Sequence, residues 1–117
     1  MPRYILSIIQ PDGPAPSAEF LEPIMRDLAA VNADMTAAGV RVMAVGLTPA
    51  GEAFVVRGGR GSIAVTDGPF AESKEHIGGF TIVEVADRAQ AEHWATRLAE
   101  AITLPIEVRE LVESPKG

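Results

Sequence analysis

Cysteine is absent from the 117 residues, which excludes disulfides, thiolate zinc centres and a thiol nucleophile. A chain with no thiol to oxidise suits a reducing compartment, and the cytoplasm is the expected location. Histidine is scarce: His76 and His93 fall on separate elements, without His-x-x-x-His or His-Glu-x-x-His spacing, so no metal site is expected. Basic residues are outnumbered, ten Lys and Arg against sixteen Asp and Glu for a net charge of −6. Such a chain has no general attraction for nucleic-acid phosphates or anionic lipid. Arg57 and Arg60 in "VVRGGRG" form the one local basic pair, and with aromatics at 5% no stacking platform stands beside them. No apolar run approaches the roughly 18 residues of a membrane span, and "MPRYILSIIQPDG" is broken by Pro11 and Gly13 too soon for a signal peptide. "GGRG" lacks the Lys-Ser/Thr ending and following helix of a phosphate loop, and there is no Gly-x-Ser-x-Gly elbow. No cofactor is expected.

What remains is an ordinary globular balance, 47% apolar and 22% charged, which fits a single domain over residues 1–117 with one core. "RYILSIIQ" at 3–10 is β-branched and aliphatic and stops at Pro-Asp-Gly-Pro: a strand. "PSAEFLEPIMRDLAAVNADMTAAGV" follows as a helix, with Ser17 as N-cap, Glu19 in the first turn and Gly39 as the stop. Leu21, Ile24, Met25, Leu28, Val31 and Met35 recur at the spacing of one buried face. Pro23 belongs only in a first turn, which moves the expected start of the regular helix to Glu22. "VRVMAVGL" reads as a second strand, Ala53–Arg57 and Ser62–Thr66 as a hairpin around Gly58-Gly59-Arg60-Gly61, and "GFTIVEVA" as a further strand. Asp87 caps a second helix whose Ala91, Trp94, Ala95, Leu98 and Ile102 share a face. "PIEVREL" closes the pattern, and "VESPKG" is expected to fray. With the hairpin set aside, the order is the split β-α-β pattern of a ferredoxin-like α+β domain: an antiparallel sheet with two helices on one face.

Two helices cover one face of a sheet, and the other face of such a sheet should then be polar. These strands are apolar on both. Tyr4, Leu6 and Ile8 oppose Ile5 and Ile9; Val42 and Ala44 oppose Met43 and Val45; Phe80 and Ile82 oppose Val83 and Val85. At about 25 cal/mol per Å² of buried apolar surface, covering several hundred Å² is worth many kcal/mol. A homodimer closing sheet on sheet is the simplest cover; the alternative is the hairpin or the tail folding over that face.

"VTDGPFAESKEHIGGFTIVEV", with "AEHWATRL" soon after, resembles the DGPF branch of the YCII-related family, and the likeness covers essentially the whole chain. The resemblance implies a dimeric α+β barrel. It also implies, for YCII-type relatives, a His-Asp pair with the His on the first helix and the Asp after the second. Here the first helix has no His and "RLAEAITLP" has no Asp, so that chemistry does not transfer. Some DGPF members resemble partners of extracytoplasmic-function sigma factors, which implies regulation as readily as catalysis.

The residues themselves offer a short set of candidates. Asp67 opens the turn formed with Gly68, Pro69 and Phe70, where an Asp side chain can take the place of a backbone acceptor. A carboxylate held that rigidly can also orient a substrate or move a proton. Phe70 is expected to plug the core edge, and Gly78-Gly79 to let the chain re-enter a strand at close quarters. Glu72, Lys74, Glu75 and His76 crowd together; the plain reading is a solvated ion-pair rim. The sharper one is that Lys74, with Glu72, Glu75 and Arg57 around it, binds a small anionic molecule while His76 or Asp67 handles protons. Two functions follow: a lyase- or isomerase-type acid-base enzyme, or a non-catalytic ligand-binding or regulatory module.

Overall fold

The computed structural model describes residues 1–113; residues 114–117, in the tail expected to fray, lie outside them. Strand β1 is Arg3–Pro11, helix α1 Ala18–Ala37, β2 Arg41–Gly46, β3 Phe54–Gly59, β4 Ser62–Asp67, β5 Glu75–Glu84, α2 Arg88–Ile102 and β6 Ile106–Glu110. The principal sheet has the order β2-β5-β1-β6 with every neighbouring pair antiparallel. With β3 and β4 left out, this is the ferredoxin-like α+β arrangement: β1 and β2 run parallel around β5, and β5 and β6 run parallel around β1.

Both helices start where the caps predict. Ser17 Oγ accepts from the Phe20 N–H at 3.2 Å, and Asp87 Oδ1 from the Gln90 N–H at 3.0 Å. The expected start of α1 at Glu22 is corrected to Ala18, with Pro23 inside the second turn. Proline there costs the Glu19 carbonyl its intrahelical donor, but residues 22 and 23 are exposed, where water can take over. Gly39 (φ +74) ends the helix as expected.

The helix-covered face holds the core. Leu6, Met35, Val83, Val85 and Leu98 are fully buried, and the α2 stripe of Ala91, Trp94, Ala95, Leu98 and Ile102 is buried throughout. Arg97 of α2 reaches Asp34 of α1 at 2.7 Å and places its guanidinium 5.6 Å from the Trp94 ring centre, tying the helices together. The two-faced greasiness of the strands is present as expected. Opposite the helices, Ile5 pairs with Ile82, Ile82 with Met43, and Phe80 with Val45; Met43 and Val45 are exposed.

The hairpin does not cover that face. β3 and β4 form a separate two-stranded sheet in which Phe54, Val56, Ile63 and Val65 are all exposed. This arm stretches the chain to 49 × 44 × 17 Å with a radius of gyration of 16.6 Å, against about 13 Å for a compact chain of this length.

Two further expectations change. β5 begins at Glu75, not Gly79: Glu75, His76 and Ile77 pair with Pro11, Gln10 and Ile9, and a bulge places Gly78 between the two stretches of ladder. Phe70 does not plug the core edge. It is 77% exposed, because the arm at whose base it sits lies away from the chain's own core.

Candidate functional site

A concavity of about 740 Å³ opens between α1 and the sheet. Its floor is sheet: Ile8 of β1, Ala44–Gly46 of β2 and Gly78–Thr81 of β5. Leu21, Ile24, Met25 and Leu28 of α1 form the roof, the Gln10–Pro16 stretch one wall, and Ile102–Leu104 the other. The two glycines make this floor possible. A Cβ on Gly79 would lie 2.7 Å from the Val45 carbonyl oxygen, and one on Gly78 would collide with the Gln10 side chain. The close quarters expected of this pair are therefore real, with backbone on one side and a flexible side chain on the other.

Polar groups in the lining are few: Gln10, Asp12, Asn32, Thr81 and Thr103. Asn32 Oδ1 is buried and accepts no hydrogen bond among the described residues, an arrangement that costs stability. Thr103 caps α2 in the left-handed region (φ +58), with its hydroxyl donating to the Ile102 carbonyl at 2.7 Å. A β-branched residue rarely adopts that conformation, and such strain collects at binding sites.

The candidates read from the sequence fall into two groups, neither in the cavity lining. At the base of the arm, Asp67 ends β4 opposite Phe54. Arg57 donates to Thr66 Oγ1 at 3.4 Å and lies 5.4 Å from the Phe70 ring centre. The turn is fixed by backbone: the Gly68 N–H donates to the Ala53 carbonyl at 2.7 Å, with Gly68 at φ +98. The Asp67 carboxylate accepts no hydrogen bond among the described residues. The second group runs beside the cavity mouth. The Lys74 carbonyl accepts from the Asp12 N–H at 2.7 Å, the Glu75 N–H donates to Ser73 Oγ at 3.2 Å, and half-buried His76 lies opposite Gln10. Glu72 is exposed in the loop before them. No ion pair among the described residues joins Glu72, Lys74 or Glu75.

Asn32 is what the sequence reading passed over. It lies four residues after Leu28, inside the apolar stripe of α1, and an amide in such a stripe is the signal that could have found it.

Ionisation is perturbed away from the cavity, at the far end of the sheet. The Arg3 guanidinium donates to Glu84 at 2.9 Å and holds its carboxyl below the usual carboxylate range. Burial, with Glu110 alongside, pushes the Tyr4 hydroxyl up. Among the described residues no helix is long and apolar enough to cross a membrane.

The chain is 38% identical over 85 residues to an uncharacterized protein of Rhizobium meliloti (strain 1021), covering 73% of this chain and 68% of that one. The YCII-related domain matches residues 5–114, which takes in the principal sheet except the first two residues of β1, with both helices, the arm and the cavity. The chain belongs to the YCII-related domain family.

Proposed function

We propose that this is a small-molecule-binding domain whose ligand enters the cavity between α1 and the sheet, and that it works as a homodimer closed through the outer sheet face. The observation that carries the reading is the cavity: at about 740 Å³ it lies within the roughly 300–1,000 Å³ of small-molecule sites, and like them it is mainly apolar with a few polar groups. The dimer rests on Met43, Val45 and the arm's Phe54, Val56, Ile63 and Val65, all exposed, apolar surface that a second copy would remove from water.

Binding without catalysis is the better supported role, since Asp67 and His76 both stand outside the lining. One observation favours the acid-base alternative. His76 pairs with Gln10, a lining residue, so a ligand reaching the mouth would meet His76 before Asp67. Lys74, whose backbone carbonyl accepts from the Asp12 N–H at the same mouth, is the candidate cation for an anionic group held at the rim.

A fluorescence titration with the neutral dye N-phenylnaphthylamine tests the site. Wild type should bind saturably, one dye per chain, and Ile24→Trp should lose that binding while keeping a cooperative melt. Dye binding that survives Ile24→Trp would place the dye elsewhere and remove the reading. Sedimentation of a 12.4 kDa particle at micromolar concentration would remove the dimer.

A further inference from the structure

The β3–β4 arm has one bare apolar face, and the following inference rests on the homodimer proposed above. We infer that this face is a clamp for a second copy of the chain, each protomer laying its arm on the body of the other.

Strand alternation sorts the arm's side chains. Phe54 pairs with Asp67, Val56 with Val65 and Gly58 with Ile63, which puts Phe54, Val56, Ile63 and Val65 on one face. Val55, Arg57, Ser62, Ala64 and Thr66 take the other. The chain attends to that second face itself: Arg57 donates to Thr66 Oγ1 and stands 5.4 Å from the Phe70 ring centre. It does not seal the first, where Phe54, Val56, Ile63 and Val65 keep 66, 56, 74 and 63% of their surface exposed. A ribbon of two strands is marginal in water at best and needs a further strand or a packed layer to hold. Because the bare surface is a face and not an edge, the missing element is a layer.

Charge points to a second copy as that layer. Residues 53–66 hold Arg57 and Arg60 and no acid, a charge of +2, whereas the rest of the chain sets eight basic residues against sixteen acidic ones, a charge of −8. The arm forms a sheet separate from that of its own body. A two-fold axis brings each positive arm to the acidic body of the other copy and forms both clamps at once. That body also offers apolar surface: Met43 and Val45 of β2 and Ile77 of β5, the strands between which the arm emerges, are exposed.

Sedimentation equilibrium of wild type and four variants tests the clamp. Ile63→Lys puts a charge on the bare face, and Ser62→Lys puts the same charge on the opposite one. All the altered side chains are exposed, so the protomer's core is untouched. Wild type should be dimeric at micromolar concentration. Ile63→Lys should raise the dissociation constant at least about a hundredfold, since each dimer loses two buried isoleucines, while Ser62→Lys should stay within about fivefold of wild type. At low ionic strength Arg60→Gln should weaken the dimer by about twofold or more. Arg26→Gln, which removes the same charge from the exposed side of α1, should weaken it less, and the gap should close at high salt. A dimer equally tight in Ile63→Lys and Ser62→Lys would overturn the clamp and leave the sheet-on-sheet dimer standing. Equal losses in those two would overturn the assignment of faces, and Arg60→Gln no weaker than Arg26→Gln would overturn the acidic body as the arm's seat. A monomeric wild type would refute the homodimer and the clamp together.

Discussion

Gly79→Ala tests the geometry on which the cavity floor depends. Gly79 sits in the central strand β5, opposite Ile8 of β1 and Gly46 of β2. An added methyl would lie 2.7 Å from the Val45 carbonyl oxygen and 3.2 Å from the Gly46 Cα, distances below ordinary carbon contacts. Both obstacles are backbone of β2, so no rotamer change relieves the clash and the edge strand must move. Overpacking of this kind costs about 1–3 kcal/mol, against about 0.5–1 kcal/mol regained from replacing a strand glycine. The expected net loss is about 1–2 kcal/mol, or a fall in melting temperature of about 4–8 °C for a domain of this size. Gly78→Ala is the matched control. Its added methyl meets the Gln10 side chain, whose outer atoms are exposed and can swing away, while the Gln10 Cβ at 3.0 Å must give by a few tenths of an ångström, so its loss should be the smaller one, about 1 kcal/mol or less. Thermal and urea unfolding at one fixed protein concentration measure both, the concentration being held because association shifts the midpoint. If Gly79→Ala melts with wild type, or the two variants fall together, β2 does not press on β5 as described.

Three further outcomes are expected. Pro23→Ala restores the donor to the Glu19 carbonyl within α1; interior proline costs about 3 kcal/mol, of which about 1 kcal/mol is regained through a stiffer unfolded chain, so the variant should gain about 2 kcal/mol in urea unfolding. Thr103→Gly relieves a left-handed, β-branched cap and should gain about 0.5–1 kcal/mol after the entropy of glycine is charged against it; a loss instead would show that the threonine side chain holds the turn. Because the Glu84 carboxyl is depressed by Arg3, the pair's contribution is present above the unfolded carboxylate value of about 4.3 and is lost as pH falls through the lowered folded one. The melting-temperature gap between wild type and Arg3→Met should therefore be open at neutral pH and close in acid; a gap independent of pH would contradict the pairing.

The fold was legible because its signals are local and mutually consistent. Ser17 and Asp87 announce their helices, Gly39 ends one, and the apolar residues repeat at helical or strand spacing. The misreadings share a different cause. Glu75 and His76 look like loop because charged residues are depleted in strands, yet they pair with Pro11 and Gln10 across more than sixty residues of chain, and no local window contains that partner. Phe70 looks like a core plug because large aromatics are usually buried; its exposure follows from the arm's direction, which is a tertiary fact. The site was the least legible. The charged "ESKEH" cluster drew attention through its density, whereas the cavity is lined by residues that read as plain core.

That camouflage has a physical origin in α1. Leu21, Ile24, Leu28, Val31 and Met35 form one unbroken stripe, and its periodicity says only that each should leave water. The structure divides the stripe: Val31 and Met35 are buried in the core shared with α2 and the sheet, while Leu21 and Ile24 stand over the cavity. Asn32 lies at that division. An amide there is poorly suited to a sealed core, and its buried Oδ1 goes without a donor among the described residues. One helix thus supplies folding energy from its later turns and ligand surface from its earlier ones. Filling the early turns, as in Ile24→Trp, should cost the fold little and the ligand everything, whereas Met35→Ala, at a fully buried position, should cost the fold about 2–5 kcal/mol. Equal stability losses from the two variants would mean that the stripe is a single core and that the space beneath α1 is no site.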